Sequence, residues 1–319
     1  MNQNELKKAY SYCENVTKKH ARSFYFAAKF LPGEKQKPIY ALYALCRHVD
    51  DAVDEAGWQN ETDAVKAVWH WKRLLDEVYF KADTQIRKDA KNEALRITDY
   101  ELREQNNFRR SNFDAKSVLL AWQNLLKTYK IPQNLPIELM KGVLMDTHIK
   151  RYETFEELYV YCYRVASTVG LMSSEIFGFS DKKTLEYAEA LGIAMQLTNI
   201  LRDVGEDAAM DRIYLPQEDL RRFKVTEKQI FDGEASANFI ELIKFQIARA
   251  KSFYQKAERG VSLLEKDAHF TVLLALRLYA KILDEIEKQN FNVFAKRAHT
   301  DFRQKLFSIP KVWIEARDL

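Results

Sequence analysis

Acidic side chains at helical spacing are the first chemistry this chain offers. Asp50, Asp51 and Asp54 fall within RHVDDAVDE, and Asp203 and Asp207 within QLTNILRDVGEDAAMDRIYLP. Residues four apart on a helix share a face, with Cβ atoms about 5–6 Å apart. Asp50 with Asp54, and Asp203 with Asp207, would each hold carboxylate oxygens over one point. Two such faces turned toward each other would line a negative cavity. Such a cavity suits a hard cation such as magnesium, which is commonly shared with substrate phosphates. Paired carboxylates ~4 Å apart repel by up to ~4 kcal/mol in a surface-like dielectric, and a divalent ion removes that repulsion.

The neighbours of each cluster sharpen the reading. Around the first lie Tyr40, Leu42, Tyr43, Leu45, Val49 and Val53, which leave a narrow polar strip. Arg47, three residues before Asp50, can neutralise charge or clamp a phosphate oxygen. Taken alone, an acidic strip of this kind is usually a solvated helix face. In the second cluster, Gln196, Asn199, Asp203 and Asp207 form a polar line beside Leu197, Ile200, Leu201 and Val204, with Arg202 alongside. A polar line on a buried helix is costly unless its groups are satisfied, here by metal, water or diphosphate. Gly205 sits between the two aspartates, where the helix either ends or meets a close backbone neighbour. A di-iron carboxylate bundle would need Glu-x-x-His pairs; none of the six histidines has Glu three residues before it.

Other candidates carry less weight individually. Ser23 and Arg22, with His20 nearby, suit phosphate contact near a helix start or simply the surface. Tyr161 to Met172 places Ala166, Ser167 and Gly170 on a helix, which more often means close helix packing than a substrate wall. Tyr161 and Tyr163 fit a core. Arg212, in the loop motif RIYLP, could cover a bound phosphate as a flap or stand solvated, and Tyr279, Lys296 and Arg297 are no stronger by themselves. There is no phosphate-cradling glycine loop and no G-x-S-x-G elbow. Phosphate would therefore be held by metal and by Arg or Lys rather than by backbone amides.

The elements that must position these groups read as helices. Gly and Pro together number 15 of 319 residues, and 47% of residues are hydrophobic; both facts point to an all-α domain with a large core. The pattern predicts one or two helices over 4–30, a break at Pro32-Gly33, and a helix from Pro38 to Glu55 that stops at Gly57. Further helices are expected over 61–80, 115–130, 137–150, 155–177, 182–204, 236–265 and 268–289, with loops over 205–235 and a short tail. No linker or repeat interrupts the chain, so residues 1–319 are expected to form a single domain. The formal charge of +4 and its dispersion give no sign of nucleic-acid binding. Three cysteines without C-x-x-C, and a start lacking an apolar stretch, lead to the expectation of a reduced, cytoplasmic protein.

Together these segments resemble the squalene/phytoene synthase family, the head-to-head prenyl synthases. The likeness runs from HARSFYFAAKFLP through YALCRHVDDAVDE, YCYRVASTVGL and QLTNILRDVGEDAAMDRIYLP to LYAKILDEIEKQNFNVFAKRA. The wording is closest to bacterial phytoene synthases. The resemblance implies an isoprenoid synthase-type helical bundle around a central cavity, with two aspartate motifs facing across it. Asp50, Asp54, Asn199, Asp203 and Asp207 then fall on metal-binding positions. Ser23, Arg22, Arg47, Gln196, Asn199, Arg202, Arg212, Tyr279 and Arg297 fall to substrate diphosphate or the cavity lining, and Tyr161 to the face near a carbocation. Two places blur. Ser167 stands where the family usually has Gly, and either Lys296 or Arg297 takes the basic tail position.

The implied reaction ionises one prenyl diphosphate, joins it to a second through a cyclopropyl diphosphate, then ionises and opens that intermediate. Magnesium is implied, with manganese as the substitute. Two geranylgeranyl diphosphates would give phytoene, and Ala27 and Ala28 would leave room for the longer tail. Two farnesyl diphosphates would give dehydrosqualene, or squalene if NADPH supplies hydride. Rival readings are a class I terpene cyclase or chain-elongating synthase, and a non-enzymatic helical interaction protein. So insoluble a product implies peripheral membrane contact, expected among the aromatic-rich N-terminal helices.

Overall fold

A computed structural model describes residues 2–56, 61–88 and 109–319, with the side chains of 54–56, 61, 83–88 and 109–113 excepted. Gly57, the expected stop of the first acidic helix, lies outside the described residues, and so does the side chain of Asp54. Among the described residues the regular structure is helical, apart from isolated bridges pairing Arg151 with Ile213 and Phe179 with Leu264. No helix among them is long and apolar enough to cross a membrane. The chain divides into two compact units, Met1–Met140 and Lys141–Leu319, and each is described by itself.

In the first unit, α1 (Gln3–His20), α2 (Arg22–Ala28), α3 (Gly33–Ala56), α4 (Glu61–Lys88) and α5 (Arg109–Leu125) enclose Cys13, Ile39, Leu42, Leu45, Val49, Leu75 and Trp122, all buried. Asn124 on α5 donates to the Tyr10 hydroxyl of α1 at 3.0 Å. The third helix begins at Gly33 rather than at Pro38 because the Pro32 carbonyl accepts the amides of Lys35 and Gln36 at 2.9 and 3.0 Å. Pro38 lacks the amide that would bond Glu34; the Tyr129 hydroxyl donates to that carbonyl instead, at 3.4 Å. Ala27 and Ala28, the residues read as leaving room for a longer tail, are fully buried.

The second unit takes in the last turn or so of α6 (Asn134–Met145), then α7 (Phe155–Cys162) and α8 (Thr168–Phe177), joined by a π-helical turn, Tyr163–Ser167. The long α9 (Thr184–Ala209) follows, then the short α10 (Gln217–Arg222) and α11 (Glu227–Phe231) inside the expected loop. Helices α12 (Ala237–Glu258), α13 (Lys266–Lys288) and α14 (Phe302–Arg317) complete it. Ile193, Ala194, Leu197 and Leu201 of α9 lie in one core with Phe239, Ile243 and Ile247 of α12 and Leu283 and Ile286 of α13. The small residues read from sequence serve packing. A Cβ on Gly192 would come within 2.4 Å of the Ser167 Cα, and one on Gly170 within 2.8 Å of the Ala188 carbonyl oxygen. Ser167 is completely buried, and its hydroxyl donates to the Glu189 carbonyl at 2.8 Å. The residue that departs from the family's glycine thus ties the π turn to α9.

Two further boundaries differ from expectation for identifiable reasons. Helix α9 does not end at Gly205 but continues to Ala209, which keeps Asp203 and Asp207 on one regular helix. The tail is not short and irregular. A capping box, Asp301 with Gln304, starts α14, and the helix continues through Pro310, whose ring obscures the helical pattern in the sequence.

Candidate active site

The face of α9 gathers the second acidic motif. Asn199 donates to the Gln196 side-chain oxygen at 3.3 Å. The carboxylate of Asp203 is gripped by two guanidiniums. Arg202 donates to it at 2.8 and 2.5 Å, and Arg297, from the segment before α14, at 2.8 and 3.0 Å. Burial disfavours the Asp203 charge, but hydrogen bonds and charge from the two arginines outweigh that, and its pKa is lowered. Of the two adjacent basic tail residues, both exposed, it is Arg297 that contacts Asp203. Tyr279, half-buried on α13, feels Arg202 and Asp203 electrostatically in opposite senses, and burial raises its pKa.

Asp207 is in the opposite condition. Burial pushes its pKa up to about 7, the neighbouring Asp203 charge adds to the rise, and Arg212 works against it. Two turns back along α9, the side-chain oxygen of Asn199 is buried and accepts no hydrogen bond. Among the described residues no three His, Cys, Asp or Glu side chains are already arranged around a metal position. The chemistry of the donors nonetheless fits a hard cation: Asn199 holds an unused buried acceptor, and Asp207 a carboxylate whose charge Arg212 only partly offsets.

Arg212 is not a surface flap. It is 7% exposed, its amide donates to the Asp207 carbonyl at 2.9 Å, and its guanidinium donates to the Asp146 carbonyl at 2.6 Å. The turn that sends it inward passes through Asp211, which has φ 58°, a left-handed conformation that Asp tolerates better than most residues. Lys150 and Arg151 hold the Asp211 carboxylate at 2.7 and 3.1 Å.

Asp146 is a residue the sequence reading missed. Its two carboxylate oxygens accept from the hydroxyls of Tyr161 at 2.9 Å and Tyr214 at 2.7 Å. Those rings stack at 5.2 Å, and Tyr152 lies 5.6 and 5.9 Å from them. Tyr161 is thus a buried member of a tyrosine cluster built on one carboxylate. Its phenol is pushed well upward by burial first and by the Asp146 charge second. It is an O–H donor here, not a base.

In the first unit, the acidic motif on α3 is more open. Arg47 contacts Asp51 closely and stands 3.9 Å from Asp50, so its nearer partner is one turn on, not the expected residue three positions away. The Asp50 side chain is 54% exposed. The Nε of Arg47 is buried and makes no hydrogen bond. Ser23 is half-buried on α2, and Arg22 at its start is exposed. His20, exposed, feels the Arg47 charge after a larger effect of burial, and its pKa is lowered.

Comparison with known proteins places this geometry. The model of the squalene/phytoene synthase family matches residues 17–304. A 15-cis-phytoene synthase of Synechocystis sp. is 37% identical over 98% of this chain and 87% of its own length. A chloroplastic phytoene synthase of Daucus carota is 36% identical over 98% of this chain and 72% of its own. Among solved structures, a dehydrosqualene synthase with bound ligand superposes with a TM-score of 0.81 at 27% identity, covering 99% of both chains.

Proposed function

This chain belongs to the squalene/phytoene synthase family, and we propose that it joins two geranylgeranyl diphosphates head to head to make phytoene, as a prenyltransferase. The product follows the names of the relatives at 36–37% identity. The observation that carries the reaction class is the α9 face, where a burial-raised Asp207 and an unsatisfied Asn199 oxygen flank an Asp203 gripped by two arginines. Residues 1–319 would act as one catalytic domain, with both acidic motifs serving one reaction.

Asn199, Asp203 and Asp207, with Asp50 and Asp54, would hold magnesium, or manganese in its place. Such an ion, when bound, supplies positive charge that polarises a diphosphate leaving group. The chain's own residues do the rest. Arg202, Arg297 and Arg47 offer donors to phosphate oxygens, and the unused Arg47 Nε is one such donor. Gln196, Ser23, Arg22, Arg212 and Tyr279 would complete the substrate contacts. The Tyr161 ring, held by Asp146, presents an aromatic face that stabilises nearby positive carbon, and packed apolar walls exclude water from the cation. No side-chain nucleophile is required.

Incubating purified protein and magnesium with each prenyl diphosphate, without NADPH, and identifying the hydrocarbon by mass spectrometry tests this reading. Phytoene from the twenty-carbon substrate is expected; exclusive turnover of the fifteen-carbon one would overturn the product. The likeness to a dehydrosqualene synthase structure makes dehydrosqualene the second reading, with NADPH needed only for squalene. No turnover of either, with no magnesium-dependent binding of a non-hydrolysable analogue, would point to a non-enzymatic role.

A further inference from the structure

Helix α14 lies almost wholly beyond residue 304, where the family match stops. One side of it is anchored. Ser308 and Val312 are buried, Lys281 of α13 donates to the Ser308 hydroxyl at 2.6 Å, and Arg277 reaches Glu315 at 3.0 Å. The other side is open and strongly apolar: Phe302, Leu306, Phe307, Trp313 and Ile314 are exposed, Phe307 by 79%. At 100° per residue these five project over one half of the helix circumference. Arg303, Lys311 and Arg317 are exposed and fall on the same half, and the Arg317 guanidinium lies 4.7 Å over the Trp313 ring. The one carboxylate of the helix, Glu315, lies 3.0 Å from Arg277 and 3.9 Å from Lys311, whose side chain is 82% exposed.

We propose that this face is a docking surface for an anionic lipid bilayer, with α14 lying in the plane of the interface. Large aromatic and aliphatic side chains interleaved with cations are the composition of interfacial helices. The apolar groups enter the acyl boundary while the long cationic side chains reach the headgroups. Charge decides against a second copy as the occupant. A two-fold contact would set the same cations against one another, whereas anionic headgroups complement all three. The site goes beyond the reaction proposed above and moves membrane contact away from the N-terminal helices, where the sequence led us to expect it.

The test is co-sedimentation of the full chain with vesicles of phosphatidylcholine, alone or mixed with phosphatidylglycerol. The wild type is expected to bind the mixed vesicles, and less well as salt rises. Lys311→Glu with Arg317→Glu should lower partitioning by roughly thirtyfold or more, and Phe307→Glu with Trp313→Glu should abolish it. Turnover in detergent micelles should be unchanged in both. If the second pair melts α14 by circular dichroism, the charge-reversal pair decides. Wild-type levels of binding in both variants, or no binding of the wild type to mixed vesicles, would overturn the proposal. So would variants that retain vesicle binding but shift to a smaller species in light scattering, which would assign the face to another copy of the chain. Vesicle binding needs no turnover, so it fails or succeeds independently of the substrate assays.

Discussion

The acidic motifs on α3 and α9 share a spacing and differ in nearly everything else. On α3 the Asp50 and Asp51 side chains are 54% and 32% exposed, with one arginine beside them. On α9 the Asp203 side chain is 16% exposed and gripped by two guanidiniums, while Asp207 is held near neutrality by burial and by its neighbour's charge. The unsatisfied atoms have opposite character: a donor, Arg47 Nε, on α3, and an acceptor, Asn199 Oδ1, on α9. The i, i+4 rule sets which carboxylates can meet, but burial and imported arginines set what charge they carry. The α3 motif has a cationic group to offer phosphate; the α9 motif has oxygens to offer a cation.

Removing one carboxylate from each motif tests whether both serve one reaction, and gives the largest expected effect. Asp50→Asn and Asp203→Asn should each lower turnover roughly a thousandfold, the scale of losing a group that stabilises developing charge. Their stabilities should separate. Asp203→Asn leaves Arg202 and Arg297 without their shared counterion and should cost about 1–3 kcal/mol in denaturant melts, whereas exposed Asp50→Asn should change stability by less than about 0.5 kcal/mol. Near-normal turnover in either variant would remove that motif from the site; equal stability losses would erase the contrast.

Asp146 sharpens the comparison, because it supports the second unit without belonging to either motif. Asp146→Ala would leave the buried hydroxyls of Tyr161 and Tyr214 without their acceptor and should cost about 2–4 kcal/mol. Asp146→Asn keeps one oxygen acceptor and should cost less. If Asp146 positions the Tyr161 ring, Asp146→Asn should lower kcat more than it raises KM, which a purely structural role would not require.

These residues also show what the sequence could carry. Of the stripe Val118, Leu119, Trp122, Leu125, Leu126 and Tyr129, the first five are buried as the period implies and Tyr129 is half-buried, and the α9 polar line was legible because four polar residues recur at helical steps. Asp146 had no such signal. Its partners lie 15 and 68 positions away, and nothing local marks it. That Arg297 rather than its neighbour Lys296 meets Asp203 was equally closed to local spacing, since the contact spans 94 positions. Arg212 looked like a loop arginine because its burial depends on a left-handed Asp211, which the sequence does not display.

Acidity should expose the α9 asymmetry, with the two carboxylates contributing opposite signs. Between about pH 4 and 7 the folded protein keeps a proton on Asp207 that the unfolded chain releases. The unfolded state then binds fewer protons, so this group makes metal-free stability fall as pH rises through that window. Asp203, with its lowered pKa, contributes stability above the ordinary carboxylate range and loses it as pH falls below that range. A cation binds only the deprotonated Asp207, so magnesium affinity should climb by up to about tenfold per pH unit below 7 and level off above. Isothermal titration from about pH 5.5 to 8, with Asp207→Asn as the control that loses the slope, checks this; a flat profile in the wild type would contradict the raised pKa.

The smallest expected effect concerns the glycine between the two aspartates. Because α9 runs on to Ala209, Gly205 is a helix-interior glycine, which costs about 1 kcal/mol relative to alanine. A Cβ there would meet Phe294 at 3.5 and 3.6 Å and the Val293 carbonyl oxygen at 3.7 Å, ordinary contact distances. Neither the backbone conformation nor the space demands glycine, so Gly205→Ala should stabilise the protein by about 0.5–1 kcal/mol in denaturant melts. The equivalent position between the α3 aspartates is Ala52, so that turn carries no such glycine. A gain in stability with unchanged magnesium affinity would mean that the α9 turn needs only its helix. A gain accompanied by weaker magnesium binding would mean that the turn must flex for its carboxylates to close on a cation, a demand the more exposed α3 motif does not share.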